Sequence, residues 1–215
     1  MTPSEPSVLR LLVFTPSVDD GYVDNALRSL ARSLAGLPLC SIDVGRRHDQ
    51  ARERVIATTW PDVRTMIAAL GAESEHGVAP TEDLPVMEDS TVRVLPLAFS
   101  LTFDRSSPAS VLRVYRGRAR PGELDEYTAE VREGTFADAS AAHGPLALCL
   151  AHDQPDRFVT VSTWTDLDTI MTSTGGSLTN PIATRHSDRL LEGTADLYEI
   201  LPRTADDAQP VPTPS

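Results

Sequence analysis

Cysteine, tryptophan and clustered basic charge are all scarce in this chain, and each shortage removes a class of function. Only Cys40 and Cys149 occur in 215 residues, with no CxxC pair, so neither a disulfide framework nor a thiolate metal centre is expected. Both cysteines sit in apolar surroundings, "LPLC" and "LALC", which predicts buried, reduced thiols. There is no HExxH, HxxxH or Cys/His cluster, and no metal site is expected. Basic residues form no tract, and a formal charge of −12 opposes nucleic acid and anionic membranes by repulsion. The longest apolar stretches are strand-sized, such as "LLVF" (11–14), far short of the roughly 20 residues of a membrane span. The opening "MTPSEPS" lacks the basic and apolar regions of a secretory signal, so a soluble, cytoplasmic protein is expected. Neither G-x-G-x-x-G nor G-x-S-x-G appears, which argues against a dinucleotide fold and a hydrolase elbow. Aromatic residues make up only 5% of the chain, little material for a large aromatic cage.

What is present is a repeat. "HDQARERVIATTWPD" (48–62) returns as "HDQPDRFVTVSTWTD" (152–166), 104 positions later. Upstream, "VLRLLVF" (8–14) answers "VLRVYRG" (111–117) at an offset of 103, and "GYVD" (21–24) answers "GELD" (122–125) at 101. A period of about 100 residues is the size of a domain, not of a solenoid unit. In the first copy, "VLRLLVF" reads as a strand and "YVDNALRSLARSLAGL" (22–37) as an amphipathic helix. "LCSIDVG" (39–45) and "RVIATTW" (54–60) read as paired strands around the turn "RRHDQARE". "PDVRTMIAAL" (61–70) reads as a helix opened by Pro61, and "VRVLPLAF" (92–99) as a last strand. The second copy repeats the order.

The pattern is β-α-β-β-α-β twice, the split βαβ or ferredoxin-like unit. Such a sheet has helices on one face only, so two of them can cover each other's open face. The expected fold is α+β, two ferredoxin-like repeats at 8–101 and 111–201 forming a single-chain pseudo-dimeric α+β barrel. The Pro/Ser/Thr-rich tails, 1–7 and 202–215, are expected to be disordered. Residues 72–91 form a long acidic connection, either a lid or a passive surface loop.

Two halves, each with a strand ending in Thr-Trp followed by an aspartate and a short helix, resemble the antibiotic biosynthesis monooxygenases of the dimeric α+β barrel superfamily. "VLRVYRGRARPGELDEY" and "PDRFVTVSTWTDLDTI" carry the resemblance best. "LLVFTPS", "PLCSIDVGRR" and "ERVIATTWP" narrow it to the ring-opening oxygenases of angucycline pathways, of jadomycin, gilvocarcin and kinamycin type. That resemblance implies oxidative C–C cleavage in the B ring of an angucyclinone such as dehydrorabelomycin, with dioxygen as co-substrate. It implies reduced flavin (FADH2 or FMNH2) from a separate flavin reductase, or no cofactor. The partner is then a polycyclic aromatic small molecule, with association into a homodimer left open. The alternative is a non-catalytic barrel that binds a hydrophobic small molecule.

Candidate site residues follow. Trp60 and Trp164 are equivalent, and in the related oxygenases the matching Trp lies in the substrate pocket. An indole offers a flat face and an N–H donor, although a core indole capping the helix–sheet interface fits equally. His76 in the acidic loop and His186 in "NPIATRHSDRLL" are candidate general bases. Tyr115, Asn180 and Arg185 are candidate substrate-binding residues, the guanidinium as an oxyanion stabiliser. Polar surface residues are the competing account of the 180–186 stretch, and a phenol satisfied by a backbone carbonyl is that of Tyr115. The repeated "HDQ" sits at a hairpin, where ordinary solvated turn residues are expected.

Overall fold

The computed structural model describes residues 7–34, 36–50, 52–71, 87–103, 108–139, 144–181 and 187–201. The apolar runs form strands and the 3.6-period stretches form helices. In order these are β1 (Val8–Pro16), α1 (Asp20–Leu34), β2 (Ser41–Arg47), β3 (Arg54–Trp60), α2 (Val63–Leu70) and β4 (Met87–Thr102). The order then recurs as β5 (Val111–Ala119), α3 (Leu124–Ala139), β6 (Ala147–Gln154), β7 (Arg157–Trp164), α4 (Leu167–Ser173) and β8 (Leu190–Ile200). The strands close into one barrel in the order β1-β3-β2-β8-β5-β7-β6-β4. Each half therefore keeps the ferredoxin-like order, β4-β1-β3-β2 and β8-β5-β7-β6, and the two halves are joined by the antiparallel pairs β2–β8 and β4–β6. Among the described residues no helix is long and apolar enough to cross a membrane.

Local chemistry sets the boundaries. The carboxylates of Asp62 and Asp166 each accept the backbone N–H three residues on, from Thr65 and Thr169, both at 2.7 Å. These are helix N-caps, so α2 begins at Val63 and Pro61 precedes the cap instead of opening the helix. β4 starts at Met87, five residues before the expected strand. Its acidic first residues pair with Phe14, Thr15 and Pro16 of β1, and a ladder partner outweighs their poor strand propensity. Ser7, placed in the leading tail by sequence, extends the sheet: its N–H donates to the Trp60 carbonyl and its carbonyl accepts from Leu97. The remaining residues of both tails lie outside the described residues, as does most of the 72–91 connection.

Alternation along the strands makes two kinds of core. Toward the lumen, Leu9, Leu11, Val55 and Ala57 of the first half meet Leu112, Val114, Val159, Val161 and Tyr198 of the second. Toward the helices, Leu12, Phe14 and Ile56 pack with Val23, Leu27 and Leu30 of α1, while Tyr115 and Phe158 pack with Tyr127 and Val131 of α3. Burying a leucine or valine contributes about 1.5–3 kcal/mol, so the lumen contacts alone hold the halves together strongly.

The two seams are not alike. At β2–β8, Arg47 reaches Asp196 at 2.7 Å, Asp49 at 2.7 Å and Glu53 at 3.0 Å, and Arg116 also binds Asp196. Burial works against charge on Arg47, but the bonds to Asp49 and Glu53 and the field of Asp196 outweigh it and push its pKa up. At β4–β6, Arg93 reaches Asp153 at 2.8 Å. Arg93 and Asp196 are equivalent, because they pair with the equivalent residues Leu11 and Val114. The seam ion pairs thus run with opposite polarity. The "HDQ" triplets lie here, and are not merely solvated turn residues. Asp49 and Asp153 hold these arginines, His48 donates its backbone N–H to the Leu197 carbonyl across the seam, and His152 lies within β6, its ring 3.1 Å from the Thr128 hydroxyl.

Cys149 is buried in the lumen, where burial pushes its thiol up to about 12. Cys40, expected to be buried, is exposed just ahead of β2, and neither cysteine is in a disulfide. Thiol titration should therefore find one fast-reacting group in the native protein and two after denaturation. For the seams, Asp196→Asn should lower stability by about 1–2 kcal/mol by leaving Arg47 and Arg116 facing each other. Arg93→Gln, at the more exposed pair, should cost under about 1 kcal/mol. Denaturant unfolding of the two variants checks that order.

Candidate functional site

A charged residue in the middle of an apolar strand is the least expected feature of "VLRLLVF" and "VLRVYRG". Arg10 and Arg113 occupy equivalent places, and strand alternation turns both away from the lumen, toward the helices. They are 5% and 1% exposed, and burial lowers the pKa of each, that of Arg113 to about 10. The Arg113 guanidinium donates to the backbone carbonyls of Leu178 (3.2 Å) and Asn180, in the connection after α4. No carboxylate pairs with it among the described residues. It stays a cation at neutral pH, held by neutral dipoles in a nearly dry place.

The surroundings of Arg113 are aromatic. Its Cζ lies 5.1 Å from the centroid of the Tyr115 ring. The Tyr115 ring contacts Phe158 at 5.9 Å, and Phe158 contacts Tyr127 of α3 at 4.7 Å. Burial raises the pKa of both phenols, so they are donors at neutral pH. The second half has glycines where Tyr115 and Phe158 need room. A Cβ at Gly193 would sit 1.8 Å from the Tyr115 Oη, and one at Gly117 2.4 Å from the Phe158 ring. Gly117 pairs with Gly193, whereas the corresponding pair in the first half is Phe14 and Ser90, beside Leu12.

Of the other sequence candidates, Trp60 and Trp164 are fully buried. The Trp60 N–H donates to Thr58 Oγ1 at 2.9 Å and the Trp164 N–H to Ser162 Oγ at 2.8 Å. Trp60 packs with Val8 and Met66, and Trp164 packs among residues that include Val111 and Ile170. In this geometry each indole caps a helix–sheet interface, with no open face and no spare donor. Asn180 is exposed and meets Arg113 through its backbone carbonyl. Tyr115 and Asn180 thus converge on Arg113, with Trp164 one strand away through Ser162, the β7 partner of Arg113. His76, Arg185 and His186 lie outside the described residues. Arg113 was missed as a candidate; its signal was the repeated arginine within an apolar run.

A second group faces the lumen. A cavity of about 380 Å3 opens at the end where β5 and β6 finish, lined by Arg93, Arg116, Arg118, Arg157, Asp153 and Glu192 among others. A flavin held as a resident group would need an apolar slot for its ring system. The 380 Å3 cavity, walled largely by charged side chains, does not offer one. No three His, Cys, Asp or Glu side chains gather for a metal ion among the described residues.

No family model matches the chain, and no curated protein does. Solved structures do share its fold. A candidate monooxygenase from Lactobacillus acidophilus NCFM superposes with a TM-score of 0.69 at 9% identity, over 92% of this chain and 95% of that one. A candidate monooxygenase from Fusobacterium nucleatum gives 0.67 at 12% identity, over 94% of each chain. An anthrone oxidase-like protein gives 0.55 at 11% identity, over 93% of each. At these identities the likeness is one of fold: the chain is a tandem α+β barrel of the kind seen in proteins described as monooxygenases.

Proposed function

We propose that this protein is an oxygenase that cleaves a C–C bond in the B ring of a polycyclic aromatic polyketide, an angucyclinone such as dehydrorabelomycin. Dioxygen is the co-substrate. Reduced flavin made by a separate reductase supplies electrons as a visiting reactant. The observation that carries this reading is Arg113, a buried cation without a carboxylate partner among the described residues, set against Tyr115 on the helix-facing wall of the second half. A hydroquinone gives up electrons to dioxygen more readily once it loses a proton. A fixed guanidinium in a water-poor site stabilises the phenolate that results. Tyr115, kept protonated by burial, donates to a neighbouring substrate oxygen. The substrate oxyanion takes the place of the Leu178 and Asn180 carbonyls on Arg113. The protein contributes shape, exclusion of water and control of protons, and the redox chemistry belongs to substrate, flavin and oxygen. The likeness in fold to an anthrone oxidase-like protein supports a polycyclic aromatic substrate.

The test is aerobic turnover of dehydrorabelomycin with a flavin reductase, nicotinamide and free flavin. Arg113→Gln should lower turnover by about 10²–10³-fold while the variant stays folded. Wild-type activity should also fall as pH rises through about 10, where Arg113 loses its proton. Trp60→Phe and Trp164→Phe should reduce stability and leave turnover per folded molecule nearly unchanged. Tight binding of the angucyclinone with no turnover would favour a binding protein. Full turnover by Arg113→Gln would remove Arg113 from the reaction.

A further inference from the structure

Three lumen-facing positions differ in the same sense between the halves. Arg116, Arg118 and Arg157 of the second half correspond to Val13, Thr15 and Glu53 of the first, by the 103- and 104-residue offsets. The registers agree: Arg116 faces Val159 as Val13 faces Val55, and Arg118 faces Arg157, whereas the first half's ladder ends at Phe14 and Arg54, one position before Thr15 and Glu53. Where the first half has two neutral residues and an acid, the second has three arginines, and all three line the 380 Å3 cavity, with Arg93 from the first half joining them. The first half has Val13 and Thr15, both half-buried, at the corresponding positions of β1.

The arginines are held but not used up. Arg118 binds Glu192 at 2.9 Å, Arg93 binds Asp153 at 2.8 Å, and Arg116 binds Asp196. Arg157 has no ion pair among the described residues and is exposed. Each guanidinium carries five N–H donors, so every one has donors to spare for the cavity. Four guanidiniums against Asp153, Glu192 and Asp196 leave a net positive site, on a chain whose formal charge is −12. A single guanidinium fork satisfies a carboxylate. Several forks converging from different strands suit a tetrahedral group with three terminal oxygens.

We propose that this end of the lumen is a binding site for a phosphate group, as free phosphate or as a small phosphomonoester, contacted by Arg116, Arg118 and Arg157. It is separate from the Arg113 wall, which lies on the other face of the same strands, and it does not depend on the oxygenase reading.

The experiment is isothermal titration of the full chain with inorganic phosphate, phenyl phosphate and sodium acetate at low ionic strength, for wild type, Arg118→Gln, Arg157→Gln and Arg132→Gln. Arg132 is exposed on α3, away from the cavity, and serves as the control. Either phosphate probe should bind, with affinity falling about tenfold in Arg118→Gln and in Arg157→Gln and unchanged in Arg132→Gln. Tighter binding of phenyl phosphate than of phosphate would assign the site to a phosphomonoester, and equal binding would assign it to free phosphate. Arg157 is exposed, so its variant reads out the site even if Arg118→Gln fails to fold. Absence of binding at millimolar phosphate, equal affinity for acetate, or affinity unchanged in Arg157→Gln would overturn the proposal.

Discussion

Leu9, Leu11, Val55 and Ala57 on one sheet and Leu112, Val114, Val159 and Val161 on the other are inner-face residues that no helix covers. A ferredoxin-like half on its own would leave such a face in water. The remedy is a second sheet, and in this chain duplication supplies it. Closing the barrel removes both free sheet edges as well, since each edge strand finds a partner in the other half. The helices, the seams and the two candidate sites are all placed by that closure.

Once one chain carries both halves, they are free to differ, and they differ in organised ways. The seam charge is Arg93 on one side and Asp196 on the other. A pair of second halves would set Asp196 against Asp153 with Arg116 but without the Arg47 and Arg93 that hold them here. A pair of first halves would bring Arg93 beside Arg47. The polarity therefore favours unlike halves and works against like ones. On the helix side, Tyr115, Gly117 and Gly193 stand where the first half has Leu12, Phe14 and Ser90, which leaves room for one phenol beside Arg113. On the lumen side, arginines stand where the first half has Val13, Thr15 and Glu53. Both sets lie in the second half, on opposite faces of β5.

Much of this was legible in the sequence, because a duplicated chain is its own comparison. The barrel follows from two copies of β-α-β-β-α-β, and the capping aspartates 62 and 166 stand at equivalent positions. The start of β4 was not legible, because "MEDST" has the composition of a loop and becomes strand only through its β1 partner. The role of "HDQ" was not legible either: its aspartates answer Arg47 and Arg93, and the latter pairing spans 60 residues and a seam. The tryptophans invited a pocket reading through their rarity. Their burial comes from α2 and α4 folding over them, which a lone Trp in a sequence cannot reveal, and their N–H groups are taken up by hydroxyls two residues earlier on the same strands. Arg113 stood in plain view within "VLRVYRG", and its meaning required knowing that no acid faces it among the described residues. His76, Arg185 and His186 fall outside the described residues.

The claim that unlike faces and seams hold the barrel closed is tested most directly by separating the halves. Residues 1–105 and 106–215, produced as two chains, mixed and read by native mass spectrometry, should assemble into a one-to-one pair of unlike halves that outcompetes either like pair. Like pairs forming as readily as the unlike one would contradict the account.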